Sequence, residues 1–386
     1  MAKQVIEASQ AVAEAVKLCS PSVIATYPIT PQTHIVEHIA DFVSNGDFDA
    51  EIIDTESEHS SMSACIGAQG TGVRTFTATA SQGLALMHEM LFVASGMRLP
   101  IVMAVANRAL SAPINIWNDH QDSISERDSG WIQLYVESSQ EAFDTIIQAY
   151  KIAENKNVLL PVMVCLDGFT LSHVWEPVEI AKQSKVNSFL PKYNPIHAFL
   201  DPKKPITQGP VSYPDTYMHF KKMQHDAMKE SIDIIKKVNS EFRGKFKRGY
   251  GDGLIELYRM NDADYALIGM GTLCSTARVV IDNLRKEGIK AGMIKVKTYR
   301  PFPSEAISKA AKGLKGIAVI DRDISTGYEG ALYSDTRSAL CDGKSEVGTI
   351  SGFITGLGGR DITPQHIEKA LKDMIFGKGT KEDWLF

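Results

Sequence analysis

Val23-Ile24-Ala25-Thr26-Tyr27-Pro28-Ile29-Thr30-Pro31 opens the reading of the fold. Four residues suited to a pleated strand run into two prolines three positions apart. Proline fixes φ and lacks an N–H, so neither a helix nor a central strand continues through that loop. Val23–Thr26 is therefore predicted as a short strand that stops at a rigid turn. Upstream, Val5, Ala8, Val12, Ala15 and Val16 recur with helical spacing and predict one helical face from near the N-terminus. Downstream, strand-like runs recur at 74–79, 101–106 and 158–166, with helical stretches between them such as 84–95, behind Ser81 as a cap candidate. Short buried strands alternating with helices predict an α/β fold, with a mainly parallel sheet covered on both faces.

The rhythm changes after residue 166. Residues 167–254 hold Pro177, Pro191, Pro195, Pro202, Pro205, Pro210 and Pro214, followed by a charged helix expected over 221–242. This reads as an extended connection that wraps surfaces. Its Lys221, Lys222, Lys229, Lys236 and Lys237 are interleaved with Glu230, Asp233 and Glu241, which suits a solvated helix face rather than a nucleic-acid patch. From 255 to 386 the alternation returns, with strands expected at 265–270, 292–298, 317–321 and 348–354 and helices at 275–286 and 364–374. Two α/β domains, 1–166 and 255–386, joined by the 167–254 segment, are the expected organisation.

The bulk composition excludes several classes. A net charge of −5 gives no general attraction to nucleic acid or anionic lipid. No apolar run approaches the roughly 18 residues of a membrane span. Met1-Ala2-Lys3-Gln4 leads straight into the first periodic pattern without a signal-peptide core, so a cytoplasmic location is expected. Cys19, Cys65, Cys165, Cys274 and Cys341 stand singly, with no C-x-x-C. Iron–sulfur clusters and structural zinc need closely spaced thiolates, so no metal is expected in this chain.

Some motifs fail on inspection. His88-Glu89-Met90-Leu91-Phe92 has a phenylalanine where a zinc helix needs its second histidine. Gly269-Met270-Gly271 lacks the third glycine of a dinucleotide fingerprint, since Cys274 stands there. Gly251-Asp252-Gly253 resembles the start of a thiamine diphosphate–magnesium motif, but Asn283, at the right distance, falls inside a predicted helix; the triplet is read as a turn.

Three segments remain. The 27–31 loop lies at a strand's carboxyl end, where open α/β sheets bind ligands, and its prolines would aim the Thr30 hydroxyl; a rigid turn with no further role fits the same residues. Glu56-Ser57-Glu58-His59-Ser60 leaves an apolar Ile52-Ile53 pair and enters a small-residue helix. A partly buried carboxylate there, its charged form penalised by desolvation, could exchange a proton with a bound heterocycle, while acids that complement a helix dipole are the alternative. Asn107-Arg108 follows a predicted strand, with the polar loop Asn118-Asp119-His120-Gln121-Asp122 soon after. Arg108 could grip a small carboxylate through paired hydrogen bonds, or lie on the surface.

Taken in order, these segments resemble one family. Tyr-Pro-Ile-Thr-Pro at 27–31, Glu-Ser-Glu-His-Ser at 56–60, Thr-Ala-Thr-Ala-Ser-Gln-Gly at 77–83, Asn-Arg-Ala-Leu at 107–110, Asp-His-Gln-Asp at 119–122, Arg-Pro-Phe-Pro at 300–303 and Gly-Leu-Gly-Gly-Arg-Asp at 356–361 are similar to the motifs of pyruvate:ferredoxin oxidoreductases, a branch of the 2-oxoacid:ferredoxin oxidoreductases. The resemblance runs from about residue 5 to 375. It implies that 1–166 is a thiamine pyrimidine-binding domain and that 255–386 is a transketolase C-terminal-like α/β domain. It also implies cleavage of a 2-oxo acid, pyruvate first, with coenzyme A to give acyl-CoA, carbon dioxide and electrons for ferredoxin, reversibly.

The resemblance also implies site roles. Glu58 matches the glutamate that bonds the cofactor's aminopyrimidine and so promotes loss of its thiazolium C2 proton. Tyr27 and Pro28 fall on the cofactor-binding loop, and Thr30 and Arg108 match the residues that orient the substrate. The diphosphate–magnesium site, the coenzyme A domain and the [4Fe-4S] cysteines of the family have no counterpart here. A chain of 386 residues is thus expected to be the separate α subunit, sharing thiamine diphosphate with a β subunit that brings Mg2+ and a cluster, beside a γ subunit and a ferredoxin-like δ subunit. A branched-chain 2-oxo acid as substrate, a thiamine-dependent dehydrogenase or transketolase component, and a non-catalytic scaffold are the alternatives.

Overall fold

A computed structural model describes residues 2–195, 199–342 and 346–386. The chain builds two α/β layers. The first sheet has seven strands in the order Thr298–Arg300, Ile132–Val136, Val162–Asp167, Val102–Asn107, Thr75–Thr79, Val23–Thr26 and Glu51–Asp54. Its six first-domain strands are parallel, and Thr298–Arg300 joins antiparallel to Ile132–Val136. The four central strands are buried along their whole length, as expected of a parallel sheet covered on both faces. The edge strand Glu51–Asp54 meets solvent at both its ends.

Small residues let the covering helices approach closely. Ala8, Ala11, Ala15 and Val12 on helix Ala8–Cys19 are buried where it packs on helix Ser139–Ala153, itself buried over most of its surface. The N-terminal residues differ from the sequence expectation. Ala2–Glu7 is a strand, paired antiparallel with Trp175–Ile180, and Val5 is 62% exposed on it rather than part of the helix face. The helix expected over 84–95 is two, Ser81–Leu86 and His88–Gly96, broken at Met87.

The second sheet has the order Asp383–Trp384, Thr349–Ile354, Gly316–Asp321, Tyr265–Gly269, Ala291–Val296 and Ile255–Tyr258, parallel except for the last strand. The 292–298 run was expected to be one strand. Instead Ala291–Val296 stays in this sheet while Thr298–Arg300 crosses to complete the other. One apolar core runs from the first sheet into the near face of the second, and a smaller one fills the far face of the second.

The connection is a helix of 33 residues, Pro214–Phe246, preceded by loop and a short helix Gln183–Phe189. Pro214 is accommodated because the first helical position needs no N–H. The second half of the long helix buries Ile235, Val238, Phe242 and Phe246, with Phe242 stacked on Phe246 at 4.1 Å. Gly251-Asp252-Gly253 is a turn. The Asp252 carboxylate accepts from the Leu254 and Ile255 amides at 2.9 Å each, and Gly251 sits at φ +52° where a Cβ would strike the Ile255 carbonyl. Among the described residues no helix is long and apolar enough to cross a membrane.

Candidate active site at the carboxyl edge of the first sheet

The strand order of the first sheet reverses between Val23–Thr26 and Thr75–Thr79. The chain goes from Val23–Thr26 outward to Glu51–Asp54, then returns to place Thr75–Thr79 on the other side. The crevice outside the carboxyl ends at such a reversal is where open α/β sheets take ligands. Residues 27–31, 55–58, 80–83 and 108–109 all leave the carboxyl ends of four adjacent strands here.

The 27–31 turn is closed by Gln32, whose side chain accepts from the Ile29 amide at 3.1 Å and whose own amide donates to the Ile29 carbonyl at 2.8 Å. Pro31 is buried, and Gly168 is bare of side chain where Pro31 packs against it. Tyr27 is half-buried, while Pro28 and Thr30 are exposed at the rim. Arg108 reaches this turn directly. Its Nη1 donates to the Thr30 carbonyl at 2.9 Å and its Nε to the Asn115 carbonyl at 2.8 Å. The guanidinium is largely buried, with 8% of the residue exposed, and burial draws its pKa down against the opposing pull of Asp122. Nε is thus given to Asn115 and Nη1 to Thr30, and Nη2 bonds nothing among the described residues, so it remains able to donate to an anion.

The two acids of the 56–60 motif part company. Ser57 caps helix Glu58–Gly70, and Thr55 ties the junction to the Thr26 carbonyl. Glu56 turns to solvent and accepts from Ser60 Oγ, a bond that lowers its pKa. Glu58, 6% exposed, turns inward, and no hydrogen bond or ion pair engages its carboxylate among the described residues. It lies against the 80–83 turn. A Cβ on Gly83 would stand 2.6 Å from Glu58 Oε1 and 2.5 Å from Thr79 Oγ1. The Thr77 and Thr79 hydroxyls are buried there without partners. Ser81 holds the turn with φ +49°, its hydroxyl donating to the Ala109 carbonyl at 2.5 Å. Contacts thus run without a gap from Glu58 through 79–83 to 108–109 and Thr30.

Residues 14–240 match the family model described as pyruvate flavodoxin/ferredoxin oxidoreductase, thiamine diphosphate-binding, and residues 263–367 match pyruvate:ferredoxin oxidoreductase core domain II. The chain belongs to the pyruvate flavodoxin/ferredoxin oxidoreductase family. It is 58% identical to pyruvate synthase subunit PorA of Methanocaldococcus jannaschii, over 98% of each chain. A 2-oxoglutarate:ferredoxin oxidoreductase from Magnetococcus marinus, solved with 2-oxoglutarate, coenzyme A and succinyl-CoA, shares the fold at TM-score 0.75 and 19% identity; the match covers 96% of this chain and 65% of that one. A split-gene transketolase, solved as an inactive β4 tetramer, shares it at TM-score 0.55 and 11% identity, covering 97% of this chain and all of the other.

Two family motifs turn out to bind the layers to each other. Asp119 Oδ2 accepts from the Gly358 amide at 3.0 Å, the Gly359 amide donates to the Asn118 carbonyl at 2.7 Å, and Asn115 Nδ2 donates to the Gly358 carbonyl at 3.0 Å. Burial pushes the Asp119 carboxyl up to about 6, against the downward pull of the Gly358 and Gln121 amides that donate to it. The strand order of the second sheet also reverses, between Tyr265–Gly269 and Gly316–Asp321, and that crevice is filled from within. Asp167, at the end of its first-sheet strand, accepts from Arg322 Nη1 at 2.8 Å and the Thr272 amide at 3.0 Å, and lies 2.8 Å from His120 Nε2. The sequence reading missed Asp167 and Arg322. Their local signal is a charged residue at, or just past, the end of a buried strand. In this family member the second layer's ligand position holds a carboxylate of the first.

Proposed function

We propose that this chain is the α subunit of a pyruvate:ferredoxin oxidoreductase. The complex would cleave pyruvate with coenzyme A to acetyl-CoA and carbon dioxide and pass two electrons to ferredoxin, with pyruvate synthesis as the reverse. The observation that carries this reading is the meeting of Arg108 with Thr30 at the strand reversal. It ties a largely buried cation to the rim turn that carries the Thr30 hydroxyl, for which no partner is found among the described residues, an arrangement suited to a small 2-oxo acid.

The residues present fit the aminopyrimidine end of thiamine diphosphate. Glu58 is a buried residue whose carboxylate has no partner among the described residues, Gly83 leaves the facing wall bare, and the Thr77 and Thr79 hydroxyls likewise lack partners among the described residues. When bound, the cofactor supplies a carbon nucleophile and an electron sink for decarboxylation. Glu58 would hold a proton at the aminopyrimidine ring nitrogen. Tyr27 and Pro28 would wall the ring, Arg108 would orient the substrate carboxylate, and the Thr30 hydroxyl would orient its oxo oxygen. The diphosphate and Mg2+ would be held by a β subunit that also carries a [4Fe-4S] cluster, with γ and ferredoxin-like δ subunits completing the path to ferredoxin. In support, Asp252 spends its carboxylate on its own turn and Asn283 lies within helix Leu273–Lys286.

The chain co-expressed with those subunits under anaerobic conditions tests this. Ferredoxin or viologen reduction that requires both pyruvate and coenzyme A is expected. Faster turnover of a branched-chain 2-oxo acid would reassign the substrate, and transfer to lipoamide or a sugar would overturn the reading.

A further inference from the structure

One buried carboxylate joins both halves of this site. Asp122 is 1% exposed. Its Oδ2 accepts from the Ser81 amide and the Arg108 amide, each at 2.9 Å. Its Oδ1 accepts from Asn107 Nδ2 and the Ser123 amide, each at 2.7 Å. The two Oδ2 bonds cross from the strand end at residue 79 to that at residue 107, which are neighbours in the sheet. Every donor but one is a backbone amide, so the carboxylate fixes main chain and leaves the side chains free to act. At Ser81 that matters most, because a non-glycine residue at φ +49° is costly and persists only where its surroundings hold it.

We infer that Asp122 is a positioning residue, which sets the Arg108 backbone for substrate binding and anchors the 80–83 turn against Glu58. The inference rests on the reading of Arg108 as the grip on the substrate carboxylate. Asp122 works through its four acceptor bonds. An amide in its place keeps one oxygen for the Ser81 and Arg108 N–H groups. Its new N–H donors can be met by Asn107 turning its partnerless Oδ1 toward them, with the present Asn107 Nδ2 bond to Ser123 Oγ at 2.7 Å reversed so that the Ser123 hydroxyl donates. The bond from the Ser123 amide is then the one left without an acceptor. An alanine removes all four.

The test is a double-variant cycle on the assembled complex, with KM for pyruvate as the readout because it does not depend on the fraction that assembles. Asp122→Ala should raise KM about tenfold and Asp122→Asn less than about threefold. Combined with Arg108→Ala, Asp122→Ala should add less than about twofold, since a residue acting through Arg108 has nothing left to position. Effects that multiply instead would overturn the inference and make Asp122 an independent support. So would Asp122→Asn falling as far as Asp122→Ala, because the retained oxygen would then be irrelevant. No assembly of the alanine variant would make Asp122 a folding residue and equally overturn it. An unchanged KM for Arg108→Ala alone removes Arg108 from the substrate, and that failure is read separately from anything Asp122 does.

Discussion

Arg108 Nη1 lies 2.9 Å from the Thr30 carbonyl oxygen, across 78 positions of sequence. The arginine therefore braces the turn that carries the Thr30 hydroxyl while keeping its outer edge for an anion. Removing it should cost both functions. Arg108→Ala is expected to lower kcat/KM for pyruvate about 10²-fold, combining a lost charged hydrogen bond with lost orientation. Arg108→Lys should be impaired too, since an ammonium cannot brace two carbonyls and grip a carboxylate in one plane. Steady-state kinetics of the complex checks this, and wild-type kcat/KM in either variant would return Arg108 to a bracing role alone.

Glu58 and Gly83 make a second, linked prediction. Glu58→Gln keeps the size and loses the proton, so turnover should fall about 10²–10⁴-fold while the complex still assembles and holds cofactor. Gly83→Ala should reach a similar end by geometry. Its Cβ would stand 2.6 Å from Glu58 Oε1, 2.8 Å from Glu58 Cγ and 2.5 Å from Thr79 Oγ1, so the carboxylate must leave its present position. Exchange of the bound cofactor's C2 proton, followed by NMR after rapid acid quench, isolates the step. Unchanged exchange in Glu58→Gln would mean that another group activates the cofactor.

The layers are also joined by a buried ion cluster whose pH dependence has a definite sign. Glu141 receives Lys295 Nζ at 2.7 Å and Lys297 Nζ at 2.8 Å, all three buried. Burial alone would raise the Glu141 pKa, but the two ammonium groups bring it down to about 2. Lys295, which also faces Glu137 and Glu256, is held up, whereas burial draws Lys297 down. A depressed carboxyl pKa contributes stability above its ordinary value of 4.5 and loses it as pH falls toward 2. Glu141→Gln leaves two buried cations facing an amide and should cost about 3–5 kcal/mol near neutral pH. Denaturant unfolding at a series of pH values should show the gap between the two proteins closing as pH drops from 5 toward 3. A gap constant over that range would show that Glu141 is not the charged partner.

What could be read from the sequence follows from how local each signal is. Two prolines end Val23–Thr26 whatever lies around them, so the strand and its turn were legible. Strand Ala2–Glu7 was not, because its alanine and valine spacing suits a helix and its partner, Trp175–Ile180, lies some 170 residues away. Thr298–Arg300 reads as the tail of the strand before it, and only packing sends it to the other sheet. In the site, the motif acids could be found by pattern. That Glu58 turns inward and Glu56 outward depends on the Gly83 wall and the Ser60 hydroxyl. Asp122 was visible only as part of a polar loop, since its four donors come from residues 81, 107, 108 and 123.

The Asp167–Arg322 pair tests what the second layer does for the first. Asp167 is fully enclosed, and burial alone would raise its pKa, yet Arg322 and His120 hold its carboxyl well below the usual range. Arg322 Nη2 continues to the Asn118 side chain at 2.5 Å, and the Arg322 carbonyl accepts from the His120 amide at 2.9 Å, so the pair reaches the residues that lead into helix Gln121–Ser125, which carries Asp122. Arg322→Ala would leave a buried carboxylate short of its strongest partner and should destabilise the chain by about 3–5 kcal/mol. Removing both charges with apolar residues of similar size, Asp167→Leu with Arg322→Met, should cost less than Arg322→Ala alone, because no charge is then stranded. If the pair also steadies residues 118–122, the double variant, though the more stable of the two, should still show a raised KM for pyruvate. Thermal unfolding of the complex and steady-state kinetics, measured side by side, separate the two effects. A double variant with wild-type KM would confine the pair to holding the layers together, and one less stable than Arg322→Ala would show that the carboxylate–guanidinium geometry itself is what the interface requires.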